Sequence, residues 1–509
     1  MMQLLKFPEP KLRFNYQQSL LDPRDGLTLF GPFDKGKVND FNIGLVGTEK
    51  GINRGLSWLK KIHLPIFNEQ TDIARPFFPG FEEVYNIKAN FNSIIKRRID
   101  EAKLEYYYTI VDNHQRVASI VDLYLQEIID YLDESEIKVD IWFIIIPEMV
   151  FKLCRIKSFV PKKNGVLIGI KNENTIWNET LFEDEELGKM REAYYYENHF
   201  HNQLKYKLLE HKIVTQIIRE NTIAYFDFLN VKGLPKKDLR KFDTAIAWNI
   251  STAMYYKLGG KPWKLDYVRD RVCYIGLVFK KDERNINPKY ACCAAQMFLD
   301  SGDGLVFKGA LGPWFNSDSL EYHLTKEAAS ELLLKSIRAF KKENNFAPKE
   351  IFIHGRTYFD NEEWQGFLEG VKKYKEEDDE NKEINLVGVR IVDEKRFKLF
   401  REFTFPVLRG TILKLNDWSA YLWTRGFIPR IQSILGLETP NPLSIKIIKG
   451  KSDIETVCRD IMSLTKLNYN ACIYGDGFPI TLKFANKIGE ILTSGPDKEL
   501  EILPFKYYI

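Results

Sequence analysis

The sequence has few cysteines and no long hydrophobic run. Its 509 residues include 6 cysteines, and no two of them are spaced as CxxC, which excludes a disulfide framework and a zinc knuckle. We expect these cysteines to be small buried side chains in a reducing cytoplasm. The longest apolar run, IWFIIIP at 141–147, is far shorter than the ~20 residues that a membrane-spanning helix needs. The sequence therefore predicts a soluble protein.

The chain also lacks a secretory signal and a large excess of charge. Its first residues, MMQLLKFPEPKLRF, contain no apolar core of about 7 to 15 residues after a basic start. Lys and Arg number 74 against 70 Asp and Glu, a net charge of +4. This balance excludes a histone-like polycation but not a local basic groove. There is no GxGxxG dinucleotide loop, no Walker sequence and no internal repeat.

What is present is typical of a globular α/β protein. Hydrophobic residues make up 44% of the chain and charged residues 28%, and at about 150 residues per domain the length predicts three units. The first hundred residues contain too many Gly and Pro for long helices. The remaining periodicity predicts helices at 101–133, 200–219, 239–256, 326–343 and 480–492. It predicts strands at 139–147, 223–228, 272–280, 290–299, 350–354 and 501–509. We interpret the chain as two α/β lobes joined near residue 260.

A small set of basic residues in the first lobe has the chemistry of an anion site. His201 and Lys205 are spaced i, i+4, which places both on one face of the predicted helix. Lys257 lies in the last turn of the next helix, before the glycine pair Gly259–Gly260. Separately, such residues are usually a solvated face and a lysine that complements the helix dipole. Together with Gln216 they offer donors suited to a phosphate.

The combined pattern is [His/Tyr]-x3-Lys, then Gln, then KLGGKPW, and it resembles the MID domain of Argonaute proteins. The resemblance implies that His201 stacks on the first base of a guide strand. It implies that three further side chains contact the guide 5′-phosphate, namely Lys205, Gln216 and Lys257. Ala253 stands where many members of the family have an additional lysine. A compensating Mg²⁺ is therefore expected between the guide phosphates and the C-terminal carboxylate of Ile509, since these are hard oxygen ligands.

The second half resembles a PIWI domain of ribonuclease H type. The segments that carry the resemblance are VCYIGLVF, EIFIHGR, and LTKLNYN followed by PITLKFANKIGEIL. The implied fold class is α/β, with a Rossmann-like MID lobe and a PIWI lobe built on a mixed sheet with helices. The implied domains are linker-like strands and turns at 1–100, MID at 101–260 and PIWI at 261–509. Without room for a full N-terminal lobe and a PAZ domain, the chain resembles a short prokaryotic Argonaute.

The metal-binding carboxylates of an active PIWI domain are expected to be missing. Two-metal cleavage of a phosphodiester requires several carboxylates around two cations about 4 Å apart. By the resemblance, these positions fall on Val278, Gly355 and Asn486, none of which is acidic. His354, at the end of a buried strand, is expected to be a satisfied core residue. Basic residues of the second lobe are candidates for a nucleic-acid groove, namely Arg356, Arg409, Arg425, Arg430, Lys466, Lys483 and Lys487.

A closer resemblance concerns the short Argonautes that are paired with a TIR-APAZ protein. It is carried by GLTLFGPF, LVGTEKG, ACCAAQMFLDSGDG and the ending FKYYI. It implies a heterodimer in which the chain, itself not an enzyme, uses a guide RNA to recognise complementary single-stranded DNA. The partner would then oligomerise and hydrolyse NAD⁺ in cytoplasmic defence against plasmids or phage. Two alternatives remain open: a guide-dependent endonuclease with atypical metal ligands, and a scaffold subunit that binds no nucleic acid.

Overall fold

The computed structural model describes most of the chain in thirteen segments. These are residues 2–34, 41–68, 72–88, 93–170, 185–281, 290–298, 304–311, 314–316, 321–377, 383–402, 404–434, 438–496 and 503–509. Part of the ACCAAQMFLDSGDG segment and the first two residues of the last predicted strand lie outside them.

The described strands are numbered in chain order. They are β1 Gln3–Lys6, β2 Leu12–Arg13, β3 Ser19–Leu20, β4 Ile43–Gly47, β5 Ile95–Arg98, β6 Ile141–Ile146, β7 Thr215–Arg219, β8 Lys264–Leu265, β9 Val272–Lys281, β10 Tyr290–Phe298, β11 Gly304–Leu311, β12 Trp314–Asn316, β13 Glu321–His323, β14 Glu350–Gly355, β15 Asn385–Asp393, β16 Thr411–Asn416, β17 Ser419–Leu422, β18 Phe427–Ile428, β19 Ser433–Ile434 and β20 Leu443–Lys449.

The described α-helices are numbered in the same way. They are α1 Pro23–Phe30, α2 Glu49–His63, α3 Phe81–Tyr85, α4 Glu101–Tyr108, α5 Asn113–Glu134, α6 Glu148–Leu153, α7 Glu185–Glu192, α8 Phe200–Leu209, α9 Glu220–Ile223, α10 Asp243–Lys257, α11 Lys326–Asn344, α12 Asn361–Glu377, α13 Ile454–Leu464 and α14 Ile480–Leu492. No helix among the described residues is both long and apolar enough to cross a membrane.

The first lobe contains a four-stranded, all-parallel sheet in the order β5-β4-β6-β7. Every residue of β6 is buried, as expected of a central parallel strand covered by helices on both faces. In register, Leu45 of β4 lies opposite Phe143 of β6, and Phe143 lies opposite Gln216 of β7. Two of the four strands precede residue 100, so the boundary predicted at that residue lies within the chain segment that forms this sheet.

The prediction that the first hundred residues form no long helix is wrong, because α2 has 15 residues. The Thr48 side chain caps α2 by accepting a hydrogen bond from the Gly51 amide. The two glycines of this helix do not break it. A Cβ at Gly51 or Gly55 would lie 3.3 Å from side-chain carbons of Ile145, so both glycines allow α2 to pack closely against β6.

Four other predicted elements differ from the structure. The helix predicted at 101–133 is interrupted at residues 109–112, between α4 and α5. The helix predicted at 200–219 ends at Leu209, and Gln216 lies on strand β7. The strand predicted at 223–228 is a short helical segment, formed by α9 and a 3₁₀ turn at Tyr225–Asp227. The last predicted strand contains a 3₁₀ turn at Phe505–Tyr507 instead. In the two segments predicted as strands, alternating apolar residues occur in a run too short for periodicity to decide between the two structures.

The second lobe is built on a nine-stranded mixed sheet in the order β1-β16-β17-β20-β15-β14-β9-β10-β11. Strands β9, β14 and β15 are parallel to one another, so their carboxyl ends meet at one edge of the sheet. Helix α14 packs on this part of the sheet, where a Cβ on Gly276 would lie 2.2 Å from the Thr481 carbonyl oxygen. The predicted α/β class, with a parallel sheet in one lobe and a mixed sheet in the other, is confirmed.

The two lobes share one hydrophobic core. Its buried residues include Trp248 and Tyr256 of α10 as well as Ile488 of α14. At the junction, the Tyr469 ring packs against Tyr256 and Trp263, with ring centroids 5.0 and 5.4 Å apart. The Tyr469 hydroxyl donates to the Trp263 carbonyl over 2.7 Å. Helices of both lobes therefore meet in a packed contact at this junction.

Candidate nucleic-acid interface

A cavity of about 370 Å³ lies where the two lobes meet, next to the carboxyl ends of β6 and β7. Its wall contains Ile146 and Arg219, the last residues of these two strands. In open parallel sheets, ligands bind outside the carboxyl ends of the strands. The cavity also contains all five residues that the sequence assigned to phosphate and metal binding: His201, Lys205, Gln216, Lys257 and Ile509.

Two buried lysines form the floor of this cavity. Lys205 donates from Nζ to the Thr215 carbonyl over 3.0 Å and to the Ile509 oxygen over 3.1 Å. Lys257 donates to the same Thr215 carbonyl over 3.0 Å and to Gln216 Oε1 over 2.5 Å. Each lysine is only 2% exposed. Both ammonium groups thus meet at one backbone carbonyl, although 52 residues separate the lysines in the sequence.

The cavity brings together three lysine side chains, those of Lys205, Lys257 and Lys487. Burial, together with the charge of the nearby Lys487 ammonium, lowers the pKa of Lys205 to about 7. Burial also holds the pKa of Lys257 well below its ordinary value, with Lys205 and Lys487 acting in the same direction. Among the described lining residues, only Glu490 has an acidic side chain, and it is engaged by Lys280 at 3.0 Å. A bound anion would therefore stabilise the charged lysines.

His201 lies in the first turn of α8 and is exposed at the cavity mouth. Its Nδ1 is 3.2 Å from Asn202 Oδ1. Desolvation by the surrounding protein, and then the charge of Lys205, lower the pKa of this imidazole. A neutral, accessible ring of this kind offers a flat face for stacking on a base.

Several residues that line the cavity were not predicted to do so from the sequence. Arg155 and Arg219 stack on Phe151, with their Cζ atoms 3.6 and 4.1 Å from the ring centroid. The i, i+4 spacing of Phe151 and Arg155 was the available signal. Lys487 was assigned to a groove of the second lobe, yet it lines this cavity. It brings a cation from α14, whereas the expected lysine position on α10 is the buried Ala253.

The oxygen atoms of the cavity suit the hard cation Mg²⁺ in type but are few. Gln216 Oε1 and the Ile509 oxygen both line the cavity, and each accepts a hydrogen bond from a lysine. Within the described residues, no group of three or more His, Cys, Asp or Glu side chains could hold a metal ion. Mg²⁺ usually takes one or two protein oxygens and completes its shell with phosphates and water. The oxygen atoms of Gln216 and Ile509 fit that mode of binding.

The positions expected to hold catalytic carboxylates lie on β9, β14 and α14. Val278 is a buried side chain of β9. Gly355 ends β14, in register with Leu277. The Asn486 amide donates to Glu490 Oε1 over 3.0 Å. Val278 and Gly355 have no side-chain oxygen that could bind a metal ion. The neutral amide of Asn486 is therefore the one side-chain ligand that these three positions supply.

His354, next to Gly355, is fully buried in the second lobe. Its Nδ1 lies 3.0 Å from Thr481 Oγ1, and burial lowers its pKa to about 3. The neutral ring belongs to the packing between β14 and α14.

Two of the proposed groove cations are internal to the fold. Arg409 and Lys466 are each 2% exposed, and both bind Glu9, at 3.1 and 3.2 Å. Lys466 also donates to the Leu21 carbonyl over 2.8 Å. These two residues tie the first residues of the chain to the second lobe and are not available to a ligand. Arg430 is exposed and pairs with Asp25 at 2.6 Å.

Comparisons with known proteins agree with this architecture. No protein-family model matches the chain. The Argonaute of Aquifex aeolicus (strain VF5) is 23% identical over 297 residues, which are 57% of this chain and 36% of that protein.

Solved structures cover the chain more completely. Clostridium butyricum Argonaute, bound to a guide DNA with a 5′ deoxycytidine and a 19-mer target DNA, superimposes with a TM-score of 0.63 at 15% identity and covers 100% of this chain. Aa-Ago with externally bound siRNA gives a TM-score of 0.55 at 15% identity over 99% of the chain. The chain spans 55% and 56% of the lengths of these two proteins. In sequence it resembles an Argonaute, and it has a mixed α/β fold similar to the MID and PIWI lobes of Argonaute proteins.

Proposed function

We propose that this chain binds a guide RNA by its 5′-phosphate and uses the guide to recognise complementary single-stranded DNA. The observation that carries the proposal is the pair of buried lysines, Lys205 and Lys257, that meet at the Thr215 carbonyl on the floor of the cavity. A terminal phosphate brings up to two negative charges and several acceptor oxygens, which match the ammonium donors. The similarity to an Argonaute that binds guide and target DNA supports the same class of ligand.

Each cavity residue has a distinct part in this proposal. Lys205, Lys257 and the Gln216 amide donate to phosphate oxygens, while the His201 ring stacks on the first base. Ile509 and Gln216 would hold Mg²⁺ together with guide phosphates, and the ion would neutralise part of the phosphate charge. Base pairing then selects the target, and the protein binds the duplex through its backbone and shape.

We also propose that the chain acts as the recognition subunit of a larger complex. The sequence segments that resemble TIR-APAZ-associated Argonautes suggest a partner that hydrolyses NAD⁺ and oligomerises on activation. A protein that holds a target without cutting it needs such an effector to produce a response. The chain itself would then carry no catalytic residue.

The complex with its partner provides the test of this function. We expect NAD⁺ consumption only when a 5′-phosphorylated guide RNA and a complementary single-stranded DNA are both present. The same guide with a 5′-hydroxyl, a 5′-phosphorylated guide DNA and a non-complementary DNA serve as controls. Intact NAD⁺ after verified assembly of the guide, target and both proteins would refute the effector role. Equal affinity for phosphorylated and hydroxyl guides would refute the phosphate site, and no binding of either guide would favour the scaffold alternative.

Cleavage of the target is the second outcome to measure. Because Val278 is apolar and Gly355 has no side chain, we expect the guide-loaded protein to leave a labelled complementary DNA intact in Mg²⁺ or Mn²⁺. A denaturing gel detects the product, and a gel shift on the same sample verifies that the target is bound. A defined cut within the guide-paired region would instead support the endonuclease with atypical ligands.

A further inference from the structure

A second cavity, of about 510 Å³, lies in the first lobe between helix α2 and the short helical segment that follows β7. The residues of α2 that line it lie between Lys50 and Lys61, and the facing wall contains Ile223 and Phe226. The cavity shares no described lining residue with the phosphate cavity. A concave site of this volume, lined by aromatic side chains and a few polar groups, has the size and chemistry of a small-molecule site.

Aromatic and aliphatic side chains give this cavity its apolar surface. Trp58 lies in the hydrophobic core and is 3% exposed, whereas Phe226, on the facing segment, is 56% exposed. Ile223 and Ala224 add apolar surface beside Phe226. Aromatic side chains favour contact with the face or edge of another ring. The cavity therefore suits a ligand with a flat aromatic part.

The indole of Trp58 carries a buried donor that the protein does not use. Within the residues that the structure describes, Trp58 Nε1 has no hydrogen-bond acceptor. Buried indole N–H groups usually have one, because an unpaired buried donor is unfavourable. The Lys61 ammonium, 5.4 Å from the centroid of the indole ring, is itself a donor and cannot serve as the acceptor. A ligand oxygen in the cavity would supply the missing bond.

Two of the cations that line this cavity are paired with carboxylates of the protein. Arg54 binds Glu220 at 2.6 Å and Asp227 at 2.8 Å. Lys61 binds Asp243 at 2.6 Å. These ion pairs connect α2 to the facing segment and to the start of α10, so they hold the walls of the cavity in place.

Lys50 differs from these two cations. It is exposed near the start of α2 and lines the cavity, and it forms no ion pair with any carboxylate in the described ranges. A single negative charge on a ligand would compensate the charge of Lys50. A phosphate dianion would bring a second negative charge close to Asp227, which also lines the cavity. The charges therefore favour a monocarboxylate over a phosphate.

We propose that this cavity binds a small aromatic monocarboxylate with an oxygen acceptor on its ring. The ligand ring lies against Trp58 and Phe226, its carboxylate accepts from Lys50, and its ring oxygen accepts from Trp58 Nε1. Lys50 and Trp58 are eight residues apart, about 12 Å along the helix axis, a distance that a lysine side chain and such a ligand span together. The site is separate from the phosphate cavity and does not depend on the proposed guide binding.

NMR titration of small ligands with the full chain tests this site. The probes are 4-hydroxyphenylacetate, 4-hydroxybenzoate and 4-acetylbenzoate, and we expect a Kd of about 1 mM or tighter for at least one of them. The neutral 4-hydroxyphenylacetamide should bind about 10-fold more weakly than its acid, because the charged contact with Lys50 is lost. Lys50→Gln should remove this preference for the acid. Lys60→Gln, at an exposed lysine of α2 outside the cavity lining, is the matched control and should retain it.

A second comparison tests the indole donor. Phenylacetate lacks the ring oxygen and should bind the wild type about threefold more weakly than 4-hydroxyphenylacetate. Trp58→Phe keeps an aromatic ring without the N–H group and should make the two acids equal. If this variant does not fold, the comparison of acid and amide in Lys50→Gln still decides the proposal, since Lys50 lies at the surface.

Four results would overturn the inference. The first is no binding of any of the three probes at about 5 mM. The second is an unchanged preference for the acid in Lys50→Gln. The third is displacement of the bound acid by a 5′-phosphorylated guide RNA, which would place the acid in the phosphate cavity. The fourth is tighter binding of AMP than of every acid, with the same dependence on Lys50, which would make the ligand a phosphate.

Discussion

Replacing Lys205 and Lys257 together with methionine is expected to weaken binding of a 5′-phosphorylated guide RNA by at least about 100-fold. A hydrogen bond to a charged group contributes about 1.5–3 kcal/mol, and a tenfold change in affinity corresponds to about 1.4 kcal/mol. Two such contacts are lost at once. Methionine keeps most of the side-chain length and suits a buried site, so the cavity walls should remain packed.

The measurement is the affinity ratio between phosphorylated and hydroxyl guides. We expect this ratio to fall to about one in the double variant, because the remaining base and backbone contacts do not distinguish the two guides. Lys335→Met with Lys372→Met, two exposed lysines that pair with glutamates on their own helices, is the matched control. An undiminished preference for the phosphate in the cavity variant would contradict the assignment of both lysines.

Glu9→Gln is expected to lower the free energy of unfolding by about 3–5 kcal/mol, the range for breaking a buried ion pair from one side. The Glu9 carboxylate lies 3.1 Å from Arg409 and 3.2 Å from Lys466. Burial lowers the pKa of Lys466 to about 8, even with Glu9 beside it. Without the carboxylate, two buried cations lose their shared counterion. Urea unfolding followed by tryptophan fluorescence measures the change.

The pH dependence of this effect has a definite sign. Desolvation would raise the pKa of Glu9, but the charges of Lys466 and Arg409 outweigh it and hold the pKa below its ordinary value. The stabilisation is therefore present above the ordinary glutamate pKa of about 4.3 and is lost as the pH falls through the lower folded-state pKa. The difference in the free energy of unfolding between the wild type and Glu9→Gln should therefore become smaller at acid pH. Asp25→Asn, which removes an exposed ion pair with Arg430, is the control and should change the free energy of unfolding by less than about 1 kcal/mol. An equal effect of the two substitutions would contradict a stabilising role of the buried contacts of Glu9 with Arg409 and Lys466.

The sequence predicted the long, strongly patterned elements of the fold. Strands β9 and β14 and helices α11 and α14 lie within one residue of their predicted bounds. Each combines an uninterrupted apolar pattern with a clear terminus, and the glycine pair after Lys257 closes α10 as expected. Gly259 adopts a φ of +100° there, a conformation that favours glycine.

Elements that depend on distant packing were not predictable. Gly51 and Gly55 look like helix breakers until β6 is placed against them, since only tertiary contact shows that small residues are required. The chain reverses after Leu209, with Lys212 at a φ of +52°, but no glycine or proline marks this turn. As a result, Gln216 was placed on a helix, although its nearness to Lys257 was anticipated.

In the candidate site, too, residues with a local sequence signal were predictable and residues placed by distant packing were not. The spacing of His201 and Lys205, the glycine-closed helix and the resemblance to a MID domain together identified four residues that do line one cavity. Lys487 could not be assigned to it from the sequence, because it is 230 residues from Lys257 and reaches the cavity only through the packing of α14 against the first lobe. Likewise, nothing local distinguishes the buried Arg409 from the exposed Arg356.

The packed junction between the lobes has a mechanical consequence. Tyr469 is wedged between Tyr256 and Trp263, and the core is continuous across the boundary. Opening a hinge at this point would expose aromatic surface to water, at a cost of about 25 cal/mol for each Å². The two lobes should therefore move as one body when a nucleic acid binds. A partner protein would then recognise the shape of the bound duplex and not a rotation of one lobe against the other.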